Sequence, residues 1–307
     1  MQIYLPIAEM PVDALVILLL GTGVGFLSGL FGVGGGFLMT PFLIFLGIPP
    51  AVAVGTQANQ LVAASVSGVL AHWRRGNVDV KLGIVMLIGG ALGSVVGVQL
   101  FALLKRLGQV DVAISLSYVF FLGTVGSLML IESGRALLQR RATRPGQRKL
   151  HQHTLLHRLP FKTRFPRSRL YISALLPALI GFVGGLLVAI MGIGGGFLLV
   201  PAMIYLLGMP ATLVAGTSLF QIIATTAIAT FLHAVTNHTV DVVLGALLIA
   251  GGVIGAQFGT RLSMLLRGEQ IRALLAALVV LVAVKLGLDL VLTPNTPYVV
   301  QTVAPGS

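Results

Sequence analysis

Long apolar segments follow one another along the chain, separated by short stretches of polar, glycine and proline residues. In the first half, the segments predicted to be helical are 12–31, 37–47, 51–72, 80–104 and 110–131. In the second half, they are 170–191, 197–207, 211–234, 241–266 and 271–292. A helix of about 20 apolar residues can cross a bilayer, and the segments lack the alternation of a membrane β-barrel. The pattern therefore predicts an all-α polytopic membrane protein.

The two halves of the chain repeat one another. The stretch "GVGGGFLMTP" at 32–41 is matched by "GIGGGFLLVP" at 192–201, which lies 160 residues later. With two single-residue insertions, the match runs over about 14–104 and 173–266. A match of this length indicates an internal duplication.

The composition excludes a soluble globular protein. Hydrophobic residues make up 56% of the chain and charged residues 9%, whereas soluble domains carry about 25% charged residues. So few charged side chains could not cover a surface that faces water. The chain has no cysteine, which excludes disulfides and thiolate metal sites.

Basic residues are concentrated in one polar segment. Of the 20 Lys and Arg residues, 11 lie between Arg135 and Arg169. Because cytoplasmic loops of membrane proteins are enriched in Lys and Arg, this segment is expected to be cytoplasmic and to contact anionic membrane lipids. It contains no recognisable nucleic-acid-binding module, so no nucleic-acid partner is expected.

The charges of the loops predict that the two halves are inverted. With the basic segment inside, the basic connections 73–80 and 267–272 also fall inside, and 234–240, which carries no Lys or Arg, falls outside. Only Lys105 and Arg106 lie on the unexpected side. The prediction is two inverted-topology repeats of about five helical segments each, as in many secondary transporters.

Four segments follow from this topology. They are a first transmembrane repeat (1–131), a basic cytoplasmic linker (132–169), a second transmembrane repeat (170–292) and a polar tail (293–307). Both termini are expected outside an inner membrane. The chain begins without the basic n-region of a signal peptide, so its first apolar segment is expected to remain as a span.

The glycine turn interrupts the most apolar part of each half. The helix predicted after it has about 11 residues, or roughly 16 Å, and cannot span a core of about 30 Å. Each turn therefore joins a short or re-entrant pair. Consecutive glycine N–H groups that lead into a helix can bind an anion, although a tight packing turn is the alternative. The candidate substrate-binding glycines are Gly34, Gly35, Gly36, Gly194, Gly195 and Gly196.

A polar face follows each short helix, in "VGTQANQ" (54–60) and "AGTSLFQ" (215–221). Threonine and glutamine are spaced i, i+4 in both, so they share one helix face. Such uncharged groups could bind a dehydrated oxyanion weakly and reversibly, or could form hydrogen bonds between helices. The candidates for substrate binding are Thr56, Gln57, Gln60, Thr217, Ser218 and Gln221.

Two further features occur in both halves. Glycine recurs every four residues on helix faces, which favours close packing and would also allow a homodimer. His72 and His233 occupy equivalent positions near predicted span ends, followed by Asp79 and Asp241. These four residues are interpreted as interfacial anchors, with a proton relay as the alternative.

The paired glycine motifs, each followed by "GT(Q/S)", resemble those of the sulfite exporter TauE/SafE family of membrane anion permeases. The resemblance covers nearly the whole chain except the linker and the tail. It implies an inner-membrane permease that moves sulfite, organosulfonates or related sulfur-containing anions, commonly for export.

The chain is therefore interpreted as a secondary transporter of small anions, not an enzyme, with one central site at the interface of the repeats. No nucleotide-binding motif is present, so a proton or sodium is expected as the coupling ion. No cofactor or metal is expected, since the HxH pair His151 and His153 lacks further ligands. The alternatives are an intramembrane enzyme that acts on a lipid phosphate and a non-transporting membrane scaffold.

Overall fold

A computed structural model describes residues 2–31, 36–139, 162–263 and 268–292. The first glycine turn and most of the predicted linker and tail lie outside these ranges. The candidates Gly34 and Gly35 and the pair His151 and His153 therefore lie outside the described residues.

The described residues form ten α-helices, five in each half of the chain. In the first half they are α1 (Ala14–Phe31), α2 (Gly36–Phe45), α3 (Pro50–Arg74), α4 (Val80–Arg106) and α5 (Val110–Gln139). In the second half they are α6 (Leu175–Met191), α7 (Gly196–Tyr205), α8 (Ala211–Leu232), α9 (Val242–Ser263) and α10 (Gly268–Val291). Helix α8 continues into a short π-helical turn, His233–Asn237. The predicted all-α fold is confirmed.

Within the described residues, five helices are long and apolar enough to cross a membrane. They are Val80–Arg106, Val110–Ile131, Thr212–Asn237, Val242–Gly259 and Ala273–Val291. Helices α2 and α7 have 10 residues each, which corresponds to about 15 Å. Each covers only half of a hydrocarbon core of about 30 Å, as expected for the short helix after a glycine turn.

Proline and aspartate residues define several helix starts. Pro50 is the first residue of α3, a position where the missing N–H of proline leaves no hydrogen bond unmade. Asp79 accepts a hydrogen bond from Leu82 N at 3.1 Å, and Asp241 accepts one from Leu244 N at 3.0 Å. Each aspartate therefore caps the start of a helix.

Two β-hairpins, which the apolar pattern does not predict, precede the two halves. Strand β1 (Gln2–Leu5) pairs with β2 (Met10–Asp13), and β3 (Lys162–Phe165) pairs with β4 (Leu170–Ser173). The two hairpins are 160 residues apart, so the duplication extends further than the sequence match. The predicted start of a helix at residue 170 is wrong, because β4 occupies this position and α6 begins only at Leu175.

The hairpins escape detection because each strand has only four residues, too few for a clear alternating pattern. Over the 12 aligned residues of each hairpin, only Pro6 and Pro166 are identical. The equivalence is instead visible in the backbone, since Glu9 has a φ of 54° and Arg169 has a φ of 52°. Both residues adopt the left-handed conformation in the turn.

Each major helix pair combines one helix from each half. Helix α1 packs along α9, and α4 packs along α6. Helix α3 packs on α8, and α5 packs on α10. The repeat relates α1 to α6 and α4 to α9, so the first two pairs are equivalent and each half buries its helices against the other.

Hairpin β3–β4 lies beside the start of α4. Ser168 N donates to Asp79 Oδ2 at 3.0 Å, and Lys81 Nζ donates to the carbonyl oxygen of Arg164 at 2.9 Å. This end of the bundle, residues 74–81 and 162–173, contains seven Lys and Arg residues. It is called the basic end below.

Hairpin β1–β2 lies at the other end of the bundle, where α4 finishes. Lys105 Nζ donates to the carbonyl oxygen of Asn237 at 2.7 Å, and Ile7 N donates to Asp241 Oδ2 at 3.0 Å. Residues 2–13 and 233–241 form this opposite end. The two halves thus begin at different ends of the bundle, which supports an inverted arrangement. Lys105, which departs from the charge pattern of the loops, has the carbonyl oxygen of Asn237 as its partner.

Candidate functional site

Direct backbone contact between helices of different halves holds the centre of the bundle. A Cβ built on Gly93 would overlap the carbonyl oxygen of Phe182, and a Cβ built on Gly255 would overlap that of Thr22. Only glycine permits such close approach. The glycine series therefore form two packing seams, one between α4 and α6 and one between α1 and α9.

The second glycine turn is buried and sharply bent. Gly192, Gly194 and Gly195 have φ values of 69°, 76° and 71°, which are strained for any residue with a Cβ. Gly192 N donates to the carbonyl oxygen of Val188 at 2.8 Å and closes α6. Helix α7 then begins, with Leu199 N donating to the carbonyl oxygen of Gly195 at 2.7 Å. The turn therefore reverses the chain within the bundle.

Gly36, at the start of α2, and the second glycine turn meet around one leucine. A Cβ on Gly36 would lie 2.7 Å from the carbonyl oxygen of Ile193 and 2.7 Å from Leu61 Cδ1. A Cβ on Gly194 would also lie 2.7 Å from Leu61 Cδ1. The absence of side chains on both glycines thus leaves the space that Leu61 occupies between Gly36 and the second turn.

The candidate threonines have equivalent structural partners. Asp241 N donates to Thr56 Oγ1 at 2.9 Å, and Asp79 N donates to Thr217 Oγ1 at 3.0 Å. Each bond joins a helix of one half to the helix start of the other half. Ser218 Oγ donates within its own helix, to the carbonyl oxygen of Ala215 at 3.0 Å.

Two of the three candidate glutamines use an amide N–H group within the protein. Gln60 Nε2 donates to the carbonyl oxygen of Leu248 at 3.1 Å, and Gln221 Nε2 donates to Thr225 Oγ1 at 2.9 Å. The Oε1 atoms of Gln57, Gln60 and Gln221 are buried and have no hydrogen-bond partner among the described residues. Each of the three side chains therefore has an acceptor oxygen without a partner.

A cavity of about 430 Å³ lies mainly between α1, α3 and α9. It extends along α3 from Gln57 to His72, near the basic end. Three candidates line it, namely Gly36, Gln57 and Gln60. The remaining described candidates do not line it; they are Thr56, Gly194, Gly195, Gly196, Thr217, Ser218 and Gln221.

The cavity also contains residues that sequence reasoning did not assign to a site, among them Ser28, Ser65, Gly68 and His72. On α3 the lining residues follow spacings of three or four from Gln57 onward, the pattern of one helix face. Extending the polar face of residues 54–60 at this spacing would have reached His72. The Ser28 contribution comes from α1 and carries no such signal.

In the other half, the position equivalent to the cavity is closed. Ser94 Oγ donates to the carbonyl oxygens of Gly185 at 3.3 Å and Thr225 at 3.4 Å. Helices α4, α6 and α8 are therefore in contact, whereas the equivalent helices α9, α1 and α3 enclose the cavity.

A buried histidine closes this half at the opposite end. His233 Nε2 lies 2.8 Å from the carbonyl oxygen of Ala189, so it must be the protonated nitrogen that donates. Its Nδ1 then accepts from Asn237 Nδ2 at 3.0 Å. His72, the equivalent residue in the first half, lines the cavity, and its Nδ1 has no hydrogen-bond partner among the described residues. The equivalent histidines of the two halves thus differ in their surroundings, since one lines a cavity and the other forms hydrogen bonds in a closed bundle.

The site is polar but uncharged. Among the described lining residues there is no Lys, Arg, Asp or Glu, and His72 is the one residue with a basic side chain. No group of three or more His, Asp or Glu in the described ranges could hold a metal ion. The arrangement can bind a small solute through hydrogen bonds and can release it again.

Residues 17–286 match a model of the family described as "Sulfite exporter TauE/SafE". The match covers both halves and all the lining residues of the cavity. No solved structure matches the chain.

Similar curated proteins are named as transporters. The "Probable membrane transporter protein YjnA" of Bacillus subtilis (strain 168) is 31% identical over 273 residues, which are 88% of this chain and 98% of that protein. A "Probable membrane transporter protein" of Xylella fastidiosa (strain 9a5c) is 30% identical over 252 residues, 81% of this chain and 85% of that protein. The "Probable membrane transporter protein YunE" of Bacillus subtilis (strain 168) is 26% identical over 282 residues, 88% and 96% of the two chains.

Proposed function

The chain belongs to the sulfite exporter TauE/SafE family of membrane transporters, and we propose that it is a secondary transporter of small anions. Sulfite, organosulfonates and related sulfur-containing anions are the proposed substrates, since the family is described by sulfite export. The observation that carries the proposal is the polar cavity in the bundle, beside Gly36 and the second glycine turn.

The size and lining of the cavity suit a small solute. Its volume of about 430 Å³ lies within the range of about 300–1,000 Å³ that is typical of ligand sites. Gln57 and Gln60 provide uncharged polar groups at its inner end, and glycine backbone lines much of its wall. Binding without a fixed charge is reversible, as transport requires.

The lining favours transport over catalysis on a lipid phosphate. Such a reaction needs a general acid or base at the reacting bond, or a cationic clamp on the phosphate. Among the described lining residues only His72 could act as an acid or base, and no Lys or Arg is present. Its position near the end of α3 separates it from Gln57 and Gln60.

The proposed orientation follows the positive-inside rule. With the protein in the inner membrane, the basic end and the linker face the cytoplasm, and both termini lie outside. The cavity then opens toward the cytoplasm, and the end closed by His233 faces outward.

In alternating access, the open half would close and the closed half would open. His233 donates to the carbonyl oxygen of Ala189, and the repeat relates Ala189 to Gly29, 160 residues earlier. Gly29 and His72 both line the cavity. In the outward-facing state, His72 would donate to the carbonyl oxygen of Gly29 and close the cavity, while His233 releases Ala189.

Flux measurements in proteoliposomes test the proposed function. Purified protein is expected to transport radiolabelled sulfite or an organosulfonate faster than protein-free liposomes. The same preparation should not hydrolyse a lipid phosphate. Lipid turnover without anion flux would favour the enzyme, and the absence of both would favour a scaffold.

Single cysteines test the exchange of states, because the chain contains none of its own. Ala64 lines the cavity and is equivalent to Thr225, which is fully buried in the other half. A membrane-impermeant maleimide is expected to label Ala64→Cys from the basic end and Thr225→Cys only slowly. Adding His233→Ala removes two hydrogen bonds of about 1 kcal/mol each, and should accelerate labelling of Thr225→Cys by roughly tenfold or more.

The matched control is His72→Ala, which disturbs the equivalent residue of the open half. It is expected to slow the labelling of Thr225→Cys, since the outward-facing state loses its closing bond. Labelling of both cysteines from the same side, or rates that neither histidine variant changes, would rule out the exchange.

A further inference from the structure

The inner end of the cavity contains hydrogen-bond acceptors without partners, which an anion cannot satisfy. Gln57 is 1% exposed and Gln60 is 9% exposed. The Oε1 atom of each is buried and has no partner among the described residues. Buried acceptors of this kind favour a cation or a hydrogen-bond donor as their ligand.

The amide orientation of the repeated glutamines follows from their partners. Gln60 Nε2 donates to the carbonyl oxygen of Leu248, and rotating the amide would bring two oxygens together. The Thr225 hydroxyl donates to the carbonyl oxygen of Gln221 at 2.8 Å, so it can only accept from Gln221 Nε2. Both halves therefore leave the oxygen of this glutamine without a partner.

The cavity also lacks a positive charge. Among the described lining residues there is no Lys or Arg. An anion that enters loses hydration, and without a nearby cation this loss strongly opposes binding. A cation that binds together with the anion would offset most of the free energy that the anion loses with its hydration.

We propose that the Oε1 atoms of Gln57 and Gln60 bind a monovalent metal cation, with sodium as the expected ion, beside the transported anion. The two residues are three positions apart on α3 and therefore neighbours on its surface. Carbonyl oxygens are typical sodium ligands in secondary transporters. An oxygen of the anion would complete the coordination, which would couple the two fluxes; the inference thus rests on the proposed function.

A proton is a weaker candidate for the neutralising charge. An amide does not take up a proton near neutral pH, and His72 is the described lining residue whose side chain is basic. Gln57 and His72 are 15 residues apart on α3, which corresponds to about 22 Å along a helix. A proton on His72 is too distant to neutralise an anion held near Gln57.

The inference predicts that anion flux requires sodium. In proteoliposomes at fixed pH, ionic strength and membrane potential, replacing external and internal sodium by choline should reduce the initial rate of radiolabelled sulfite transport at least about tenfold, which is about 1.4 kcal/mol. Equal rates in sodium and choline would overturn the sodium site and leave the transport proposal intact. No flux of any tested anion in any salt would instead count against the proposed function.

Matched variants locate the site. Gln57→Met removes the oxygen at nearly constant size, and should raise the sodium concentration for half-maximal flux at least about tenfold. Gln57→Glu keeps an oxygen and should retain sodium dependence. Asn59→Leu is the control, because it removes an amide from the same helix but from a residue that does not line the cavity. Equal sodium dependence in Gln57→Met and wild type would overturn the assignment.

Binding can be measured without transport, through the thermal stability of the purified protein, because an ion that binds only the folded state stabilises it. Sodium chloride, but not choline chloride at the same ionic strength, should raise the melting temperature of wild type and Asn59→Leu, with a smaller rise in Gln57→Met. Identical melting temperatures in both salts for wild type would overturn the proposal even if a variant fails to transport.

Discussion

Replacement of Gly25 by leucine is expected to prevent folding, whereas Gly23→Leu is expected to leave the protein folded. A Cβ on Gly25 would lie 2.7 Å from the Cα of Gly252 in α9, so a side chain would force α1 and α9 apart. Overpacking of a core by side chains typically destabilises a protein by about 1–3 kcal/mol, and a clash with backbone costs more. This cost is a large part of the total stability of a protein, which is about 5–15 kcal/mol. Gly23 has no atom within 4 Å of its Cβ position.

Expression as a fluorescent fusion and size-exclusion chromatography in detergent measure this difference. The Gly25→Leu protein should aggregate or elute broadly, and Gly23→Leu should elute as a single peak with a wild-type melting temperature. The two variants have the same helix and the same added volume. Similar profiles for both would mean that the α1–α9 seam does not depend on close backbone contact.

Replacement of Gly195 by valine is expected to abolish transport while the protein still inserts and folds. At a φ of 71°, a β-branched residue is strained by about 1–2 kcal/mol or more. Relief of this strain would rotate the peptide groups of the buried turn that leads into α7. The turn packs against Leu61, which lines the cavity, so this rotation would displace Leu61 from the cavity wall, and initial rates of sulfite flux should fall at least about tenfold.

Gly47→Val is the control for strain alone. Gly47 has a φ of 84° and no atom within 4 Å of its Cβ position, and it follows the short helix α2, away from the lining of the cavity. The Gly47→Val protein should lose about as much stability as Gly195→Val and should retain transport. If Gly195→Val also transports normally at equal expression, the glycine turn has only a packing role.

The helices could be predicted because their signal is local. The lengths of the apolar segments and the Pro50 and Pro210 boundaries define the starts of α3 and α8 to within one residue. The short helices after the glycine turns were likewise predictable from their length. The hairpins were not, because four-residue strands gain their stability from contacts such as that between Ser168 and Asp79, which are distant in sequence.

The candidate site was predictable only in part. Gly36, Gln57 and Gln60 line the cavity, whereas Thr56 and Thr217 accept backbone hydrogen bonds from the other half. All five are polar or glycine positions in the same two motifs, so the sequence pattern does not distinguish them. The difference depends on which neighbour each side chain meets, and those neighbours lie more than 100 residues away.

The sequence by itself determined the membrane helices, the duplication and the repeated polar faces, because these depend on residue type and spacing along one chain. Only the tertiary structure decided that the two halves differ. His72 lines a cavity while His233 donates to the carbonyl oxygen of Ala189, although the residues are equivalent in the repeat. A duplicated sequence specifies similar contacts in both halves, but packing lets only one half hold the open state in this structure. The tertiary structure also decided which atoms of the glutamines remain available, since Leu248 and Thr225 engage their N–H groups.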